Sequence, residues 1–394
     1  MLLSVCILTK NEESSIESCL KSVYQIADEI IILDSYSSDS TIEICRNYTS
    51  NIFFETWKND FSYARNLCIS KASCEWVLII DADETLRTNK NFRVFLEKTN
   101  SNAFLVFRNE IYRSDFDEKL VTYPVGIVRL FRRQTKAQYE YAIHERLDDF
   151  FIKNNIKIDI LREAFLDHHI YKIDKEAISF KQQKYLISIN KCLIDNPEDS
   201  WLLFQKAKTN LTLKNISESK KDLENLIQNS FIDKKIRVAS LIFLGLIYKQ
   251  DGRIDSAISL LKKYSQSNKS TVLNLYLGDF YYQKNKYFNA LRCYLKLETN
   301  PNKIDYNSSM YLISYIHFEH KLFKIASVLY SLGHKNLVLL ILKLFKIDTA
   351  ETNFLKVLIF LKKKRTKIAK SFLVRARKQD KKWKRLIELE NQIK

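Results

Sequence analysis

An α/β domain with a Rossmann-like, mostly parallel sheet, followed by an all-α run of helical repeats, is the fold class this sequence predicts. Three observations predict it. Short apolar runs at residues 2–8, 29–34 and 76–80 alternate with stretches of helical periodicity, the pattern of βαβ units. After about residue 172 no further strand pattern occurs, and one helical pattern follows another. Within that second part, a set of small and aromatic residues recurs at a spacing of 33. Composition agrees. With 5 Gly and 3 Pro in 394 residues, there is little material for the tight turns of an all-β chain, and a hydrophobic fraction of 46% suffices for two cores. The division drawn is 1–172 and 173–394.

The first strand is the apolar run up to Leu8. From Glu13 to Ile26 the residues Ile16, Leu20 and Val23 fall on one helical face. The second strand, 29–34, ends in Asp34. A polar turn, Ser35-Tyr36-Ser37-Ser38-Asp39-Ser40, supplies helix-capping residues and leads into a helix over Thr41 to Tyr48. A further helix is expected around Asp60-Phe61-Ser62-Tyr63-Ala64-Arg65-Asn66. The third strand, Trp76 to Ile80, is apolar throughout and reads as buried on both faces. Residues 103–107 and 127–131 are two later strands, expected to be joined by a charged loop from Arg108 to Thr122.

In the second part Gly245, Tyr248 and Ala257 recur as Gly278, Tyr281 and Ala290. A looser copy carries Ser314, Tyr315 and Ala326, and another begins at Trp201 and holds Ala207. The period is close to the 34 residues of the tetratricopeptide (TPR) repeat, in which small residues stand where two helices touch. Pro197 and Pro301 are the remaining traces of that pattern's proline, so these are TPR-like, degenerate repeats. Tyr248, Tyr281, Tyr282, Tyr287 and Tyr294 are expected in the core of the repeats rather than in a groove.

Charge is unevenly placed. Residues 1–170 carry 21 basic and 26 acidic side chains, and the whole chain 64 and 46, so the helical part holds the entire excess behind the net +18. From Lys356 to Lys394 there are 15 basic and 3 acidic residues. Such a surface suits an anionic partner, and contact with an anionic membrane surface is the form expected; no nucleic-acid recognition motif accompanies the charge. No apolar stretch approaches the roughly 18 residues of a membrane span, and Met1 to Leu8 lacks the basic start of a signal peptide. Seven scattered Cys without metal-ligand spacing point to a reducing compartment. The location expected is cytoplasmic, or peripheral to the inner face of the membrane.

Chemistry is concentrated at strand ends. Asp81-Ala82-Asp83-Glu84 follows the third strand directly. Carboxylates so close to a buried strand need a cation or a solvated cleft, because burying them unpaired costs several kcal/mol each. In open α/β sheets the carboxyl ends of the strands are where ligands bind. Two Asp at i and i+2 of an extended segment share a side, an arrangement suited to Mg or Mn bridging to phosphates. Asn11-Glu12 after the first strand, Asp34 at the end of the second, Arg65-Asn66 on a helix and His144-Glu145 further on complete the constellation.

The order Thr9-Lys10-Asn11-Glu12, Leu33 to Thr41, Ala64-Arg65-Asn66 and Asp81-Ala82-Asp83 resembles the family 2 glycosyltransferases of GT-A fold over about residues 1–170. More narrowly, Trp57 to Asn66, Ile143-His144-Glu145 and His168-His169-Ile170-Tyr171, followed by TPR-like helices, are similar to the sublancin-type bacteriocin S-glycosyltransferases; lipopolysaccharide-core transferases share most of these residues. The resemblance implies an inverting transfer from a nucleotide sugar, most simply a UDP-sugar, with a divalent metal, Mn or Mg. Asp34 would hold the base over the Thr9, Asn11 and Glu12 loop. Arg65 would approach the nucleotide or its diphosphate, Asp81 would face the ribose, and Asp83 would bind the metal. Glu145 would be the general base, and His144 or His168 would complete the metal or diphosphate site. Glu84 stands where many family members carry Asp. The acceptor implied is a peptide, at Cys or Ser of a bacteriocin precursor; the alternatives are a lipid-linked or surface glycan, or no acceptor at all in a non-enzymatic TPR scaffold.

Overall fold

In a computed structural model, described over residues 1–113, 119–170, 175–265, 270–300 and 317–393, the chain forms two compact units. One comprises Met1–Glu110 with Pro124–Leu226, the other Ile111–Tyr123 with Ile227–Lys394.

The first unit is built on a sheet of eight strands: β1 (Leu3–Thr9), β2 (Glu29–Asp34), β3 (Ile52–Phe54), β4 (Trp76–Asp81), β5 (Glu84–Thr88), β6 (Ala103–Arg113), β7 (Leu120–Arg132) and β8 (Ile158–His168). Their order is β3-β2-β1-β4-β7-β6-β8-β5. The first four in that order are parallel, whereas β7 runs antiparallel to β4 and β5 antiparallel to β8. The inner strands are buried on both faces. Leu3, Val5 and Ile7 enter one apolar cluster, and Cys6, with Ile31 and Val77, enters the other. Such two-sided burial is why these strands read as unbroken apolar runs.

Helix α1 (Ile16–Val23) buries Ile16, Cys19, Leu20 and Val23 on a single stripe. After α2 (Thr41–Arg46) comes α3 (Phe61–Ser70), whose N-cap Asp60 accepts the Tyr63 amide; its inner face is Ala64, Arg65 and Cys68. Two short helices, α4 (Phe92–Lys98) and α5 (Asp148–Lys153), complete the part with strands. The stretch expected as a charged loop is largely strand. Arg108 to Arg113 continue β6 and Leu120 to Thr122 open β7, because Arg108 finds its counter-charges in Glu84 and Glu110 inside the sheet.

Helices take over from α6 (Lys175–Asp195), with α7 (Ser200–Thr212) and α8 (Ile216–Gln228). Then follow α9 (Lys234–Gln250), α10 (Ile254–Ser265), α11 (Thr271–Gln283), α12 (Tyr287–Leu295), α13 (Phe318–Ser331), α14 (Lys335–Leu344), α15 (Ala350–Lys362), α16 (Thr366–Gln379) and α17 (Lys384–Ile393). No helix among the described residues is long and apolar enough to cross a membrane. Ser314, Tyr315, Pro301 and Tyr171 of the sequence patterns lie outside the described residues. Ala207, Ala257, Ala290 and Ala326 are all fully buried. The five repeat tyrosines pack in or against the core of the second unit, as expected.

The repeat glycines mark close helix approach, with different tolerance. A Cβ at Gly278 would lie 2.6 Å from Tyr294 Cε1 and 3.1 Å from Cys293 Cβ. Tyr294 is buried and donates to Asp279 at 2.6 Å, so its ring is held. At Gly245 the nearest atom is the end of the Leu261 side chain, which can turn aside. Gly278→Ala should therefore lose about 1–2 kcal/mol, overpacking outweighing the better helix former. Gly245→Ala should be close to neutral. Urea titration of the two variants measures the difference.

Candidate active site

Register alone assembles the strand ends. Thr9 pairs with Asp34 across β1–β2, and Leu8 with Asp81 across β1–β4. The loop after β1 is tied to the loop after β2 by a mesh of hydrogen bonds. Thr9 Oγ1 and Ser37 Oγ donate to Asp34 Oδ1 at 2.8 and 2.6 Å, and the Ser37 amide to Asp34 Oδ2 at 2.7 Å. Asn11 adopts a left-handed backbone (φ 56°); its amide donates to Ser37 Oγ and its Oδ1 accepts the Ser38 amide. The Glu12 amide donates to Thr41 Oγ1. Asp34 is fully buried. Its carboxylate thus fixes the shape of the cradle, while Asn11 and Glu12 line its exposed side.

Asp81 and Asp83 do not share a side. The chain turns at Ala82–Asp83 to enter β5, so the extended geometry expected from the i, i+2 spacing is absent. Asp81 is taken by arginines: Arg65 Nη2 at 2.7 Å, Arg129 Nη2 at 2.7 Å and Arg108 Nη1 at 3.9 Å. Burial alone would raise its carboxyl, but the guanidiniums of Arg129, Arg65 and Arg108 hold it well below the usual carboxylate range. Glu84, fully buried, accepts the Asp81 amide and pairs with Arg108 at 3.0 Å; burial and Asp81 together push it up. Arg65 also donates through Nε to Glu145 Oε1 at 2.7 Å, and its Nη1 is buried without a hydrogen-bond partner among the described residues. Three guanidiniums thus interleave with Asp81, Glu84, Glu145 and Glu110.

Asp83 faces a different partner. His168 Nε2 lies 3.3 Å from Asp83 Oδ2, and its Nδ1 lies 2.9 Å from Glu110 Oε2. Glu110 stands opposite His168 in the β6–β8 register. Burial lowers the imidazole's affinity for a proton, but these two carboxylates outweigh it and carry His168 up to about 10. As an imidazolium between two carboxylates, His168 would have to give up its proton to ligate a metal.

His144 stands apart from that pair. It sits at φ 55°, packs edge-on against Tyr185 at 5.3 Å, and its Nε2 is buried without a partner among the described residues. Burial pushes it down to about 3. The three residues read as metal ligands are therefore not gathered around one point, and among the described residues no group of three or more His, Cys, Asp or Glu is arranged to hold a metal. What fits a Mg or Mn ion is narrower: Asp83 at the rim with a bound diphosphate and water, the mode in which Mg uses one or two carboxylates and substrate phosphates. The Asp83 side chain is 37% exposed, as that mode requires.

The loop carrying His144 and Glu145 is braced from two sides. Asn66 on α3 exchanges hydrogen bonds with the Tyr139 backbone at 3.0 and 2.8 Å. From α7, Trp201 Nε1 donates to the His144 carbonyl at 3.1 Å and the Trp201 ring carries the Arg146 guanidinium at 4.6 Å. Ile143 packs with Ile189 and Leu202. Helices α6 and α7 thus belong structurally to the site. Of the residues that matter here, Arg129, Arg108 and Glu110 were not singled out from sequence. The signal for Arg129 was its place inside the apolar run 127–131, where a charge must find a partner. Two cavities are lined by other residues: one of about 490 Å³ along α16 and α17, and one of about 260 Å³ beside Asn100, Ser101, Asn102, Lys157 and Asp159.

With this geometry in hand, comparison with known proteins is informative. The family model described as glycosyl transferase family 2 matches residues 4–163. Those residues form a family 2 glycosyltransferase domain. The chain is 29% identical over 262 residues to the SPβ prophage-derived glycosyltransferase SunS of Bacillus subtilis, covering 64% of this chain and 60% of that protein. A TPR repeat-containing protein of Synechococcus elongatus is 26% identical over 262 residues, covering 65% and 64%. The chain thus spans under two thirds of the length of either relative. A crystal structure of Staphylococcus aureus TarS residues 1–349 with UDP-GlcNAc superposes with a TM-score of 0.38 and 16% identity, covering 68% of this chain and 93% of that one.

Proposed function

We propose that the chain is an inverting glycosyltransferase that moves a sugar from a nucleotide-sugar donor, a UDP-sugar, to a Cys or Ser of a peptide. The observation that carries this reading is the register of β1 with β2 and β4, which brings the Thr9–Glu12 loop, Asp34 and Asp81 side by side at the strand ends of a family 2 domain. In this reading the base and ribose lie over the cradle of Thr9, Asn11 and Glu12 that Asp34 holds, with Asp81 and Arg65 bordering the ribose and diphosphate. The free Nη1 of Arg65 is a donor available to a diphosphate oxygen. A divalent ion at Asp83, when bound with the donor, supplies Lewis-acid stabilisation of the departing diphosphate. Glu145 takes the acceptor's proton as the acceptor atom attacks the anomeric carbon and the bond to the diphosphate breaks, in one in-line step. His168 keeps Asp83 oriented from behind.

A peptide acceptor suits the helical run, because stacked helix pairs offer an extended surface. One observation favours a lipid-linked acceptor as the second reading: the cavity along α16 and α17 sets Lys370, Arg377, Lys378 and Lys381 against one acidic residue, Glu390, beside apolar Leu373, Val374 and Ile393. A scaffold role without catalysis is disfavoured by the complete Arg65–Asp81–Glu145 network.

A thermal-shift screen of nucleotide sugars with Mn or Mg tests the donor reading. One donor at a hundredfold excess over its dissociation constant should add about 2.7 kcal/mol of stability. Asp83→Ala should lose the metal-dependent part of that shift. No shift with any UDP-, GDP-, CMP- or ADP-sugar would sink the donor reading.

A further inference from the structure

We propose that Lys181, on the first helix of the helical run, is a ligand of the donor's diphosphate. The inference rests on the donor reading above and adds to it a residue outside the family 2 match, which ends at residue 163.

The charge balance of the site asks for such a group. The guanidiniums of Arg65, Arg108 and Arg129 are each paired with Asp81, Glu84, Glu110 or Glu145, which leaves Nη1 of Arg65 as the donor they offer. His168 is likewise held between Asp83 and Glu110. A nucleoside diphosphate brings two or more negative charges to this corner. The cations beside Asp81 and Asp83 in the strand part of the unit already have carboxylate partners.

Helix α6 supplies a further cation. Tyr185 fixes the helix against the site: its ring packs edge-on at 5.3 Å from His144 and 6.1 Å from Phe61. One turn earlier on the same face stands Lys181. Its ammonium lies 5.7 Å from the Tyr185 ring centroid and interacts with the Tyr185 hydroxyl. Its acidic neighbours are Asp83, Asp81 and Glu12, the residues of the proposed nucleotide site. Yet among the described residues it makes no ion pair within 4 Å, and its side chain is exposed. A lysine that interacts with three carboxylates without an ion pair to any is placed to share an anion with them. Phosphate oxygens bridging Lys181 and a cation at Asp83 would set the charges in alternation. The ammonium of Lys184, on the same helix, lies 4.3 Å from the Phe180 ring centroid.

Binding of UDP and of uridine to the full chain, measured by calorimetry with and without Mn, separates this inference from the reading beneath it. In Lys181→Met, UDP should bind at least about tenfold more weakly, the loss of one charge-assisted hydrogen bond. Uridine affinity should be unchanged. Lys181→Arg should bind UDP within about threefold of the parent protein, and Lys184→Met should match it. If Lys181→Met binds UDP as the parent does, or loses uridine equally, the assignment of Lys181 falls while the donor reading stands. If the parent protein binds neither UDP nor uridine, both fall together.

Discussion

Arg65→Met is expected to destabilise the protein by about 3–5 kcal/mol, the cost of removing one partner from a buried ion pair. Arg65 is 5% exposed and spans two carboxylates, Asp81 through Nη2 and Glu145 through Nε, each at 2.7 Å. Its loss leaves Asp81 with Arg129 and the more distant Arg108, and removes the one ion-pair partner described for Glu145. Methionine fills similar volume, so the loss reads charge rather than cavity. The pH profile should move as well. A carboxyl held below its unfolded pKa, as Asp81 is, contributes stability that is fully present above the unfolded value of about 4. That contribution disappears as pH falls through the folded value. Without Arg65 the folded value rises toward the unfolded one, so the acid limb of the stability curve still begins near the unfolded value but ends at higher pH, and the total loss across it is smaller. Urea denaturation followed by near-ultraviolet circular dichroism between pH 3 and 8 measures both effects. Adding Glu145→Gln to the variant should recover part of the loss, because it removes the stranded charge. A loss below about 1 kcal/mol would mean that Arg129 alone compensates the cluster.

How much of this was readable in the sequence follows from where the partners lie. β1, β2 and β4 were legible because each is buried on both faces and therefore uniformly apolar. β8 was not: in Ile158–His168 the charged Asp159, Arg162, Glu163 and Asp167 interrupt the alternation. β5 opens with the buried Glu84, which looks like part of an acidic turn until Arg108 is placed beside it. Strand-end positions announced Asp34 and Asp81, and a helical spacing announced Arg65. Their ion-pair partners did not announce themselves, since Arg129 and Asp81 are 48 residues apart in the chain and Glu145 and Arg65 are 80 apart. His144 misled for a related reason. A His-Glu pair in a polar stretch reads as ligand chemistry, but here the two neighbours go separate ways, Glu145 to Arg65 and the His144 ring to Tyr185. The change from strands to helices was visible near residue 172. That α6 and α7 brace the His144–Glu145 loop was not, because Trp201, Tyr185 and Leu202 look like ordinary repeat aromatics and aliphatics until the loop is docked on them.

Glu145→Gln should distinguish the two classes of acceptor by the size of its effect. The amide keeps the volume of the carboxylate and an oxygen that can still accept from Arg65 Nε, so the loop held by Asn66 and Trp201 should stay in place. What it loses is the capacity to take a proton. For a hydroxyl acceptor, general-base assistance is worth about 10² to 10⁴ in rate, so kcat on a Ser peptide should fall by that factor with KM little changed. A cysteine needs less help. With a thiol pKa of about 8.5 a useful fraction is already thiolate at pH 8, so the same variant should lose less than about tenfold on the matched Cys peptide. Its residual rate should rise about tenfold per pH unit from 6.5 to 8, following the thiolate, whereas the parent enzyme's rate should vary less over that range. Initial rates on paired Cys and Ser peptides, read by mass spectrometry across that pH range, provide the comparison. Equal and near-total loss on both peptides would remove the base role from Glu145. It would leave that residue as the counter-charge that keeps Arg65 aimed at the donor, a role in which the acceptor's acidity is irrelevant.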